Sequence, residues 1–144
     1  MLEGLAVLRS VFPKTKRPHR MTPSIGLVKR RGLRSLNRIY GSALDRLLIN
    51  LDSLHDEIPD VIVREVYGKI ISRPGLSLRE REIVNVAVLS IQHLDEQLYS
   101  HIRGALRLHV SETTLRIVIQ SASKIGHSDP RVPLELLSSL VHTR

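Results

Sequence analysis

Two ionisable residues, Glu82 and His101, interrupt the apolar stripes of the stretch REREIVNVAVLSIQHLDEQLYSHIRGAL, residues 79–106. A carboxylate and an imidazole are the usual parts of a proton-transfer site. Histidine changes charge near neutral pH, and a carboxylate beside it fixes which ring nitrogen carries the proton. At helical spacing Glu82 shares a stripe with Leu78, Val86 and Leu89, and His101 shares one with Leu94, Gln97, Leu98 and Ala105. Polar groups on such stripes are costly to bury unless they are paired or hydrated. If the two segments form an antiparallel hairpin turning near His93, Glu82 and His101 lie at similar distances from the turn and can meet. A buried histidine with a carboxylate partner also serves as a purely structural contact, so spacing alone leaves both roles open.

Positioning the pair takes two helices and a short turn. Ser77 followed by Glu80 has capping-box spacing and predicts a helix running to about Ile91, apolar around most of its circumference as a central helix should be. Asp95 and Glu96 suit the start of the next helix, which reaches about His109 and points Leu94, Leu98, Ile102, Ala105 and Leu106 inward. Upstream, helical spacing begins at Leu33, breaks near Gly41 and resumes from Leu44 to Leu54. A third helix is expected over Val61–Ser72, with Ile62, Val66, Tyr67 and Ile70 on one side, before Pro74 and Gly75 force a turn. Ser111 caps a further helix, and Asp129–Pro130 opens the last. Strand-like alternation is absent. The expectation is an all-α bundle of about six to seven helices over residues 33–144, preceded by a basic arm or linker over residues 1–32.

Composition narrows the chemistry. The chain of 144 residues has no cysteine, which excludes disulfides, thiolate nucleophiles and thiol redox relays. The core must be aliphatic, since there are three Tyr, one Phe and no Trp. No apolar run reaches the roughly 20 residues needed to span a bilayer; the longest, Ile83 to Ile91, is broken by Asn85 and Ser90. The net charge of +8 is concentrated between Arg9 and Arg38, and no acid occurs between Glu3 and Asp45. Such an arm either meets an anionic partner or packs on a neighbouring subunit. With Phe12 as its one aromatic residue it offers little stacking surface, so nucleic acid is the less expected partner. The start, with Glu3 and a short apolar stretch, is not secretory. A cytoplasmic location is expected, although the Arg-rich beginning also resembles an organelle import segment. His93, His101 and His109 recur every eighth residue, too far apart for one metal, and no phosphate loop or nucleophile elbow occurs; neither metal nor cofactor is expected.

Residues 66–119, VYGKIISRPGLSLREREIVNVAVLSIQHLDEQLYSHIRGALRLHVSETTLRIVI, resemble the core of the carboxymuconolactone decarboxylase family, which includes the AhpD-like alkylhydroperoxidases; RSLNRIYG, upstream, is similar to the N-terminal part of such proteins. The resemblance implies a small helical bundle that assembles as a homotrimer or homohexamer. The peroxidase branch carries a glutamate, a Cys-x-x-Cys and then a histidine. Glu82 and His101 match the glutamate and the histidine, but the cysteine positions fall on Leu94 and Gln97, so thiol peroxidase activity is not expected. The decarboxylase branch also lacks the cysteines and acts on a lactone carboxylate. By that resemblance Glu82 and His101 are an acid–base pair, one of them delivering a proton to carbon as carbon dioxide leaves. Gln97 then orients a small anionic substrate and a basic residue holds its carboxylate, with Arg73, Arg79 and the N-terminal arginines as candidates. Tyr67 can reach a pocket, although a tyrosine on such a helix usually packs. The alternatives are a non-catalytic oligomeric binding module of the same fold, or a binder of nucleic acid or an anionic surface through the basic arm.

Overall fold

The computed structural model describes residues 23–142, which form helices and turns with no strand among them. Residues 1–22, most of the expected basic arm, lie outside the described residues, as do 143 and 144.

Helix α1 spans Ile25–Tyr40 and so begins eight residues before the expected start at Leu33. The Ser24 side chain caps it, accepting from the Leu27 N–H. Gly26 and Gly32, within the segment expected to be arm or linker, both lie inside the helix. Gly32 is there for packing: a Cβ at this position would collide with the Val63 carbonyl of α3. Gly68 of α3 answers it, being held against the Val28 carbonyl of α1. The two backbones cross in close contact.

Gly41, at φ 56°, ends α1 where the sequence breaks, and a short 3₁₀ turn leads into α2, Leu44–Asp52. Helix α3 runs from Ile58 to Ile71. After one α-helical turn it widens at Ile62 to i→i+5 winding, and the Ser72 N–H donates to the Tyr67 carbonyl. That winding changes which residues share a face. The expected inward set was Ile62, Val66, Tyr67 and Ile70. The structure buries Val63, Tyr67 and Gly68 and leaves Ile70 48% exposed.

Helix α4, Leu78–Gln92, opens on the full Ser77–Glu80 capping box; α5 spans Asp95–Arg107, α6 Glu112–Gly126 behind Ser111, and α7 Arg131–His142. Leu94 is not inward as expected, because it is the N-cap of α5 and falls off the helical stripe. His93, His109 and His127 take the left-handed conformation just beyond α4, α5 and α6, a position more often held by glycine. Two of the three evenly spaced histidines are therefore turn residues.

Two core clusters result. Val86, Leu98, Ile102, Leu115, Ile119 and Leu137 knit α4 to α7, while Leu36, Ile39, Val63, Tyr67 and Leu108 join α1 and α3. Helix α4 packs on both α5 and α6, and α1 bridges α3 and α5. No helix among the described residues is long and apolar enough to cross a membrane.

Candidate acid–base site

Helices α4 and α5 do form the antiparallel hairpin, and it brings the opening pair together. His101 Nδ1 lies 2.8 Å from Glu82 Oε2. The Glu82 side chain is 1% exposed and that of His101 20% exposed, so the carboxylate is inside and the imidazole reaches the edge. A carboxylate is stable in such a place only with donors aimed at it. We assign the Nδ1 proton to the bond with Oε2, which leaves Nε2 as the nitrogen open to exchange. The Asn85 amide lies 3.4 Å from Oε1 and 3.3 Å from Nδ1; with the Nδ1 proton committed to Oε2, the amide hydrogen goes to Oε1. His101 Nε2 has no partner among the described residues.

Gly104 sets the space for the carboxylate. A Cβ there would stand 3.0 Å from Glu82 Oε2 and 2.8 Å from Ile39 Cγ2. The bare Cα lets Glu82 occupy the seam between the two core clusters, as expected of a glycine at a close helix contact.

On the α1 and α3 side the Tyr40 and Tyr67 hydroxyls are 3.1 Å apart, with their rings edge to face. Burial pushes both phenols above the usual tyrosine range, and the Glu82 carboxylate adds to the rise in each; for Tyr40 the bond to Tyr67 opposes it. Both therefore stay neutral and act as hydrogen-bond donors through the physiological range. Raised phenol pKa values stabilise the fold below the free tyrosine value of about 10 and cease to do so as pH climbs through the folded values. An ultraviolet titration should accordingly show two of the three tyrosines ionising late, together with loss of the fold. Reversible ionisation of all three near pH 10 in the folded protein would contradict this burial.

A recess of about 170 Å³ opens between α1, α2 and α5, with Tyr40, Arg46, Asn50, Ser100 and Arg103 around it. Gly104 is part of its wall. One residue therefore borders both the recess and the Glu82 carboxylate.

The other expected site residues are placed differently. Tyr67 is 7% exposed and connects to the recess through Tyr40. Gln97 is exposed on α5 and does not line the recess. Arg73 belongs to the turn between α3 and α4, where its carbonyl accepts from Arg81 Nη2, and it faces a different recess. Arg79 donates to the His109 carbonyl. Arg46 and Arg103 are the cations beside the Tyr40 recess, and sequence reasoning did not select them. Nor did it select Asn85, although an amide one turn after Glu82 on an apolar helix was a visible signal. No three potential metal ligands converge among the described residues.

Comparison with known proteins bears on this geometry. Residues 62–126 match the carboxymuconolactone decarboxylase family model. The chain is 28% identical over 95 residues to a 4-carboxymuconolactone decarboxylase of Acinetobacter baylyi, a match covering 65% of this chain and 71% of that protein. It is 32% identical over 88 residues to Peroxisomal protein 2 of Saccharomyces cerevisiae, covering 60% of this chain but only 31% of the yeast protein. The family match spans Tyr67, Glu82, Asn85, His101 and Gly104, and leaves Tyr40 and Arg46 outside it.

Proposed function

We propose, from the match of residues 62–126 to the carboxymuconolactone decarboxylase family model, that the chain performs non-redox acid–base chemistry on a small carboxylate-bearing lactone or oxo-acid. The observation that carries this reading is the 2.8 Å bond from a His101 that is 20% exposed to a fully buried Glu82, which Gly104 separates from a recess with two arginines. When a 3-oxo or lactone carboxylate loses carbon dioxide, the carbon–carbon bond breaks and its electron pair moves into the adjacent carbonyl as an enolate. His101 Nε2, as imidazolium, then returns a proton to carbon, and the Glu82 carboxylate stabilises the charged ring until it does. Arg46 and Arg103 supply positive charge for the anionic substrate. Tyr40, kept neutral, supplies a donor for the developing oxyanion. With no cysteine anywhere, the chain has neither the attacking nor the resolving thiol of a peroxidase.

The reading is tested by measuring carbon dioxide release from a panel of lactone carboxylates and 3-oxo carboxylates. Turnover above the uncatalysed rate is expected for at least one, while an alkyl hydroperoxide with a dithiol regenerating system gives none. Failure across the whole panel, with the protein folded, would leave the non-catalytic binding module as the better reading.

Assembly belongs to the same proposal. Val84 and Val88 on α4 and Ile117 and Ile125 on α6 are apolar and 46–79% exposed, a surface that a lone bundle gains nothing by displaying. A homotrimer or homohexamer covers it. Light scattering should give three or six times the 16.3 kDa chain mass, and a single-chain mass at micromolar concentration would rule the assembly out. For location we keep the cytoplasm, with an organelle as the alternative that the yeast relative's name brings into view.

A further inference from the structure

We propose that Arg31, Arg34, Arg38 and Arg73 form a second binding site, separate from the Glu82–His101 site, for a free small molecule bearing a diphosphate group. The spacing of three and four puts Arg31, Arg34 and Arg38 on one stripe of α1. Arg73 reaches the same place from the turn after α3, and the four line an open recess of about 270 Å³. None of its lining residues is shared with the recess beside Tyr40.

Charge is the main argument. Arg64, Arg116 and Arg131 each hold a carboxylate within 4 Å, whereas none of these four is ion-paired among the described residues. Helix α1 carries no acid, and residues 1–22 bring only Glu3. The four guanidinium groups are exposed and line one recess, so water and salt screen part of their mutual repulsion and a compact anion of high charge relieves more of it. Guanidinium forks match phosphate oxygens in pairs. A diphosphate, with several negative charges on a compact group, answers four arginines better than a single carboxylate does.

Shape selects the source. The recess is lined by Ser35 and Ser72; the Ser72 hydroxyl already donates to the Gly68 carbonyl, which leaves the Ser35 hydroxyl for a phosphate oxygen. It has no aromatic lining on which nucleic-acid bases would stack. At about 270 Å³ it lies just below the usual range of small-molecule pockets, a size for a compact anionic head group. Beside the arginines, Leu76 is apolar and 49% exposed, a surface for the organic part of a diphosphate ester.

The test is isothermal titration of the full chain with inorganic pyrophosphate and with ATP, at low and at physiological salt. One saturable site is expected, weakened by salt, with affinity falling about tenfold or more for each arginine removed. Arg34→Gln/Arg73→Gln should lose binding, and Arg31→Gln/Arg38→Gln should repeat the result if the first variant does not fold. His101→Asn and Arg103→Gln should bind as the wild type does. The proposal falls if neither probe binds saturably. It also falls if Arg103→Gln removes binding as fully as the α1 variants, or if only phosphatidic acid vesicles or duplex DNA bind while both free probes do not.

Discussion

Replacing Gly32 by alanine is expected to destabilise the protein by about 3 kcal/mol or more. The added methyl meets the Val63 carbonyl oxygen and the Gly68 amide nitrogen, which are backbone atoms and cannot rotate away as a side-chain end would. Relief requires α1 and α3 to separate, which uncovers the cluster of Leu36, Ile39, Val63 and Tyr67. Gly68→Ala meets the Val28 carbonyl from the other side and should cost a similar amount. The two changes should be less than additive, because either one opens the same crossing. Gly26→Ala is the control. Its new methyl has only Arg30 Nη1 nearby, at 3.8 Å, so it should be neutral or stabilise α1 by up to about 1 kcal/mol. Urea unfolding measures all four variants, and a Gly32→Ala midpoint equal to that of the wild type would show that the helices do not cross this closely.

The second large effect is on turnover. Glu82→Gln keeps the shape of the side chain and removes the charge that supports the His101 imidazolium. His101→Asn removes the group that carries the proton. Each should lower turnover by about 10²- to 10⁴-fold while leaving the helical content intact. Stability separates this role from a structural one. Removing one partner of a buried pair strands the other, whereas replacing both with apolar side chains of similar size is often neutral or stabilising. Glu82→Leu/His101→Leu should therefore fold at least as well as either single leucine variant and still be inactive.

Much of this was legible in the sequence because the informative residues act locally. Ser77 with Glu80, and Ser111 alone, mark helix starts within one turn of the chain, and both caps are present. The meeting of Glu82 and His101 needed only a hairpin and a count of residues from its turn. What the sequence hid depends on partners far along the chain. Gly32 looks like a breaker until α3 is placed across it. The inward face of α3 depends on i→i+5 winding, which a 3.6-residue period does not reveal. Arg46 on α2 and Arg103 on α5 lie beside one recess because both helices line it, whereas Arg73, closer in sequence to Glu82, is carried to another. Asn85 was readable, since it is one turn from Glu82, but a single polar residue on an apolar helix looks first like an interruption.

The most direct test of an acid–base role for the pair is a double-mutant cycle in kcat/KM, on whichever carboxylate releases carbon dioxide, across the wild type, Glu82→Gln, His101→Asn and the combined variant. Residues that act as one unit give grossly non-additive losses. Each single change should lower kcat/KM by at least about 10²-fold, and the double variant should be no slower than the worse single. Turnover at the wild-type rate in both single variants would show that the 2.8 Å bond between His101 and Glu82 is a structural contact and that the chemistry lies elsewhere.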